Sequence, residues 1–163
     1  MSRFTEYDDW DDNAQWAYIR WQGRCAAVLR GRPAQKYFRE LIEALDAMPV
    51  KRLIASDLCR VEFNPDDSER FEVCAVGQMI VHRRVAAGED RETVLRSMAT
   101  LEGEGSDETA RQAQAHLGMT YTLGWLIAEA NDETFSESST TPEQRWERMR
   151  AWATEHIRAE TPA

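Results

Sequence analysis

No run of uncharged apolar residues in this sequence approaches the roughly 18 needed to cross a bilayer, so the reading excludes a membrane anchor. Cysteine is scarce: Cys25, Cys59 and Cys74 are an odd number, which argues against a disulfide framework and for reduced thiols. The first residues, MSRFTEYDDWDD, lack the basic and then apolar character of a leader peptide, and the chain reads as cytoplasmic. Also missing are a phosphate-cradling glycine loop, a Gly-x-Ser-x-Gly elbow, an HExxH pair and an EF-hand pattern. The acid pairs Asp66-Asp67 and Asp107-Glu108 fall in loop-like stretches with no base or nucleophile attached, so no catalytic residue is assigned. Cys59, Cys74 and His82 do not fall within four residues of one another, unlike the paired ligands of a zinc site, and no metal or cofactor is read.

What the chain does have is enough apolar content for a core. With 163 residues and 42% hydrophobic side chains it fits one ordinary domain. The 29 acids outnumber the 20 bases, giving a net charge of −9, which opposes binding to a polyanion unless the cations are segregated. They are partly segregated. Residues 1–19 sum to −4, residues 20–52 to +5, and residues 97–141 to −7.

Helical periodicity organises most of the chain. From Asn13 to Arg30, Ala14, Ala17, Tyr18, Trp21, Cys25, Val28 and Leu29 form one apolar stripe, with Asp12 as cap and Gly31 at the left-handed end. A second helix starts at Pro33 and runs to about Ala47, before Pro49. Val61-Glu62-Phe63 and Phe71-Glu72-Val73 alternate across a turn-rich segment, so a short hairpin competes with a helix from Glu72 that carries Val73, Val76 and Ile80 inward. The helix is preferred, with the hairpin as a minor element. Glu92–Leu101 reads as a short helix, GEGSDE as an exposed loop, and Thr109–Leu117 and Thr120–Ala130 as two helices around Gly118. Thr141-Pro142-Glu143-Gln144 is a complete start signal for the last helix. The expectation is a single all-α domain over 13–163 after an acidic segment 1–12, with five to seven helices and one optional hairpin near 61–73. Its expected core is Trp21, Val28, Phe38, Leu41, Leu45, Val76, Ile80, Leu126, Trp146 and Met149.

Two features point to surfaces. In the acidic N-terminal segment, Tyr7, Asp8, Asp9 and Trp10 offer aromatic rings between carboxylates, suited either to a basic protein partner or to a staple of Trp10 on Trp16. The polar faces of the first two helices gather Arg24, Arg30, Arg32, Lys36 and Arg39, a candidate for protein or nucleic-acid contact. The two helices flanking Gly118, residues 109–131, have the outline of a degenerate helix-turn-helix. However, Gly124 is a poor choice inside a recognition helix, and Thr120–Asn131 holds Glu129 and no cation to anchor on phosphate.

The segments RGRPAQKYFRELIEALDAMP, KRLIA, VCAVG at Val73–Gly77, AEANDE at Ala128–Glu133 and TPEQRWERMRAW at Thr141–Trp152 together resemble a group of small phage and prophage proteins with no assigned activity. They cover less than half the chain. In that group the cysteine segment reads Cys-Ala-Leu-Gly, where this chain has Val76 in third place. The resemblance implies a viral or integrated-virus origin and carries over no catalytic residue. The functional expectation is a non-enzymatic accessory protein that binds a host or viral protein. The alternative is a DNA- or RNA-binding regulator using the 20–52 face or the Gly118 corner.

Overall fold

A computed structural model describes residues 12–101, 103–132 and 140–159. Among them seven helices and one hairpin follow in the order α1 (Asp12–Arg30), α2 (Arg32–Asp46), β1 (Cys59–Phe63), β2 (Glu69–Val73), α3 (Ala75–Ala86), α4 (Arg91–Ala99), α5 (Gly105–Leu117), α6 (Tyr121–Asp132) and α7 (Pro142–His156). The fold is mostly α, as expected.

α3 is the central element. Ala75 through Val81 are all buried, so the first two turns of this helix are packed on every side, and the helix touches α2, α4, α5 and α6. Phe38, Leu41 and Leu45 of α2, Met79 and Ile80 of α3, Leu123 and Ile127 of α6 and Met149 of α7 meet in one cluster. The last carbonyls of α2 and α6 need partners from outside their own helices. Gln78 Nε2 donates to Ala44 O at 2.7 Å and Trp146 Nε1 to Leu45 O at 3.1 Å. Arg145 and Arg148 of α7 donate to Asn131 O at 3.1 and 3.0 Å, placing cations on the negative end of α6.

The competition between hairpin and helix resolves in favour of both. β1 and β2 pair antiparallel with Cys59 opposite Val73 and Phe63 opposite Glu69. Asp66 fixes the turn by accepting from the Ser68 amide at 3.1 Å, and Asp67 takes the left-handed φ of 63°. Helix α3 therefore starts at Ala75 and not at Glu72. Cys74 is not on its apolar face but at its N-cap, where Sγ accepts from the Gly77 amide at 3.4 Å.

Two other expectations are corrected. GEGSDE is not all loop, because α5 begins at Gly105, whose amide donates to Ser56 O at 2.7 Å. Trp21 is not a core residue: it is 37% exposed, and Val28, Leu126 and Trp146 are only half-buried. Phe38, Leu41, Leu45, Val76, Ile80 and Met149 are buried as expected. The stretch from Met48 to Leu58, between α2 and β1, has little regular structure yet buries Leu53, Ile54 and Leu58. Its backbone bonds run to remote partners, Leu53 N to Pro142 O and Ile54 N to Val73 O, both at 3.0 Å.

Candidate interaction surface

The first helix decides where the surface lies. At 100° per residue, Tyr18, Trp21, Cys25, Val28 and Leu29 share the side of α1 that turns toward the body. Cys25 is the one buried residue of the helix. Trp21 stacks on Tyr18 at 6.0 Å and meets the edge of Trp125 from α6 at 5.7 Å. The stripe read from the sequence thus has the right orientation, but Ala14 and Ala17 at its N-terminal end are exposed.

The opposite side of α1 carries a second apolar row. Trp16, Ile19, Gly23 and Ala27 follow at offsets of 0, 3, 7 and 11 and are all exposed. Trp16 is 62% exposed and Ile19 54% exposed, and a β-carbon built on Gly23 would meet nothing within 4 Å. This row was missed in the sequence, although its spacing was visible there. The stronger inward stripe masked it.

The cations singled out in the sequence divide between two places. Arg32, Lys36 and Arg39 lie at i, i+4 and i+7 on the exposed side of α2. Arg24 and Arg30 lie on α1, about 120° apart around the helix, so they do not extend one another's row. Arg158 adds a further cation at the corner of α1 and α2: its guanidinium reaches Arg30 O at 3.5 Å and its amide donates to Gln35 Oε1 at 2.7 Å. Arg24, Arg30, Arg32 and Lys36 have no carboxylate partner among the described residues. Tyr7, Asp8, Asp9 and Trp10, with the staple expected for Trp10, lie outside the described residues.

Lys36 and Arg39, but not Arg32, border a groove of about 580 Å³ against α3, whose lining also includes Glu40, Glu43, His82 and Arg83. Its charge is mixed. Arg83 forks onto Glu40 at 2.8 and 2.9 Å, and this hydrogen-bonded carboxylate raises the arginine's pKa above its ordinary value. A third donor of Arg83 and the Tyr37 hydroxyl both reach Leu117 O, at 2.9 and 2.8 Å. The groove has no continuous positive strip along which a phosphate backbone could run.

The corner of α5 and α6 is built for close packing. Gly118 caps α5 in the left-handed region at φ 66°, whereas Gly31, expected to take that conformation after α1, has φ −66° and caps the start of α2 instead. Gly124 brings α6 so near α5 that a β-carbon there would lie 2.9 Å from Ala113 Cβ and 3.2 Å from Ala110 Cα. That contact is the physical reason for a glycine in the middle of α6. The charged residues of α6 are Glu129 and Asp132, so no cation of this helix faces outward.

Cys59 and Cys74 lie on adjoining elements but do other work: the Cys59 thiol points to Leu95 O at 3.5 Å, and Cys74 caps α3. Desolvation pushes their pKa values up to about 11 and about 12 respectively. No group of three metal-ligating side chains occurs among the described residues. None of the described helices is long and apolar enough to cross a membrane.

Compared with protein-family models, with curated proteins and with solved structures, the chain matches none.

Proposed function

We propose that the protein is a non-enzymatic binding protein and that the outer side of α1 is its contact for a protein partner. One observation carries this reading: Trp16 and Ile19 stand 62% and 54% exposed on the side of α1 opposite Cys25. Large apolar side chains grouped at helical spacing and edged by charge mark interaction surfaces. Anchors at i, i+3 and i+7 are those of a helix laid into a groove. Tryptophan and arginine are the residue types that most often dominate such contacts, and Arg20 and Arg24 flank the apolar row.

The chemistry of the partner follows. It presents an apolar groove for Trp16 and Ile19 with carboxylates on its rim, because Arg24 and Arg30 of α1 have no carboxylate partner among the described residues. A nucleic acid fits this surface less well, since the chain carries −9 overall and the α6 corner offers no cation. The phage or prophage setting of this role, and a host or viral partner, rest on the resemblance of the sequence segments.

The test is affinity capture from host lysate with the full chain and with a Trp16→Glu/Ile19→Glu double variant. The reading expects one protein that the wild type retains, that the double variant loses, and that an Arg39→Gln variant keeps. Equal capture by all three, or retardation of duplex or single-stranded nucleic acid in a low-salt mobility shift without any such protein, would overturn it.

A further inference from the structure

We propose that the cavity between the Met48–Arg52 segment, β2 and the start of α4 binds a small organic carboxylate with a compact apolar body, its carboxylate held by Arg91. The cavity measures about 220 Å³. Its floor is apolar, with Met48, Val73 and Leu95 all buried. Its lining also includes three arginines, Arg52, Arg70 and Arg91, against a single acidic residue, Glu72.

The cations are not equivalent. Arg52 Nη2 lies 3.3 Å and Arg70 Nε 3.5 Å from the same oxygen of Glu72, and Arg52 also pairs with Glu143. Glu72 is thus already shared by two arginines. Arg91 is left over: its half-buried guanidinium has no hydrogen bond or ion pair with any described residue. Five other arginines, Arg60, Arg83, Arg84, Arg96 and Arg150, each have a hydrogen-bonded carboxylate that raises their pKa. Arg91 is desolvated without one, and its pKa is lowered.

A partly buried cation without a counter-ion is costly, and a carboxylate matching its planar fork by two parallel hydrogen bonds would offset that cost. The size of the ligand follows from the volume. A dry cavity of about 150 Å³ takes a benzene ring, so this one suits a ring or short branched chain plus the carboxylate. A dianion such as phosphate is disfavoured by the apolar floor and by the neighbouring Glu72. The same chemistry is offered by a free acid and by the last residue of a peptide. The cavity shares no residue with α1, so this inference does not depend on the proposed protein contact.

The experiment titrates phenylacetate, N-acetylphenylalanine, phenylacetamide and inorganic phosphate into the full chain at low salt, followed by calorimetry or by amide chemical shifts. Saturable binding of phenylacetate is expected, with phenylacetamide and phosphate at least roughly tenfold weaker, since hydrogen bonds to charged groups discriminate on that scale. Equal or tighter binding of N-acetylphenylalanine assigns the site to a chain end, and weaker binding assigns it to a free acid. Arg91→Gln is expected to weaken phenylacetate by roughly tenfold or more, with Arg91→Lys intermediate. Because Arg91 has no partner among the described residues to lose and its charge is desolvated, Arg91→Gln should melt no lower than the wild type and Arg91→Lys close to it. If Arg91→Gln does not fold, the lysine variant and the amide analogue still decide. No saturation below roughly 10 mM phenylacetate, equal affinity for its amide, or unchanged binding by a folded Arg91→Gln or Arg91→Lys chain would each overturn the inference.

Discussion

Asn131 Oδ1 accepts the backbone N–H of Ala75 at 3.1 Å, so the last turn of α6 supplies a partner to an amide at the start of α3. That amide is one of the first-turn donors that no helix can satisfy internally. The same side chain donates from Nδ2 to Ile54 O at 2.8 Å, which ties in the irregular segment before β1. Asn131 is fully buried, so neither group has water to replace it. Asn131→Ala or Asn131→Leu is expected to cost about 2 to 4 kcal/mol, the penalty of leaving two buried backbone groups unpaired. Urea unfolding reads this as a lower midpoint at unchanged slope. A loss below about 0.5 kcal/mol, the range of an ordinary surface change, would show that the amide is not structural.

Gly77 predicts an opposite sign to the usual helix rule. Alanine is favoured over glycine inside a helix by about 1 kcal/mol, but a β-carbon at Gly77 would lie 2.2 Å from Leu58 O. That oxygen accepts the Cys74 amide at 3.2 Å, so moving it disturbs the start of α3 as well. Gly77→Ala is expected to destabilise by about 2 kcal/mol or more. Gly23→Ala, on the open side of α1, is expected to stabilise by up to about 1 kcal/mol. Paired thermal melts check both, and a stabilised Gly77→Ala would refute the close approach of α3 to Leu58.

The elements that were legible in the sequence are those whose signals are local. Pro33 and the Thr141/Gln144 pair mark the starts of α2 and α7, and the capping box of α7 is present in both directions. Spacing placed Phe38, Leu41 and Leu45 inside because an amphipathic face needs only a neighbour, and α3 and α7 supply it. For α1 the same logic overreached: periodicity tells which way a side chain points, but not whether another element stands there. Leu53, Ile54 and Leu58 were illegible because their segment has no period, and its bonds run to Val73 and Pro142. Arg91 was illegible for a related reason. That an arginine lacks a partner is settled only by how distant elements pack, and nothing in its local sequence, Asp90-Arg91-Glu92, announces it.

The thiols give a pH prediction. With pKa values pushed up to about 11 and about 12, the Cys59 and Cys74 thiolates are a fraction of about one in a thousand or less at pH 8, and it is the thiolate that reacts. Both should resist alkylation in the folded chain at pH 8 and react at once in denaturant. Stability shifts the same way. A thiol whose pKa is higher folded than unfolded holds its proton better in the native state, so its contribution is intact below the unfolded value near 9. It is lost as pH rises from there through about 11 and about 12. Melting points measured from pH 8 to pH 11 should fall, and Cys59→Ala should fall less steeply. Rapid modification of Cys74 in the native protein at pH 8 would contradict its buried place at the cap of α3.

Trp16 and Trp152 should behave as opposites. Trp152 packs its ring edge-on to Phe38 at 5.4 Å and against His156 at 4.5 Å, locking α7 onto α2. Trp152 is half-buried, so Trp152→Ala removes that contact at an expected cost of about 2 kcal/mol, below the scale for a fully buried aromatic. Trp16 is 62% exposed, so Trp16→Ala and Ile19→Ala should each stay within about 0.5 kcal/mol of the wild type. The contrast matters for function, because a surface kept apolar at no benefit to the fold requires another reason to be there. If Trp16→Ala proves as damaging as Trp152→Ala, the outer side of α1 belongs to the core of the molecule, and its assignment as a contact for a partner falls with it.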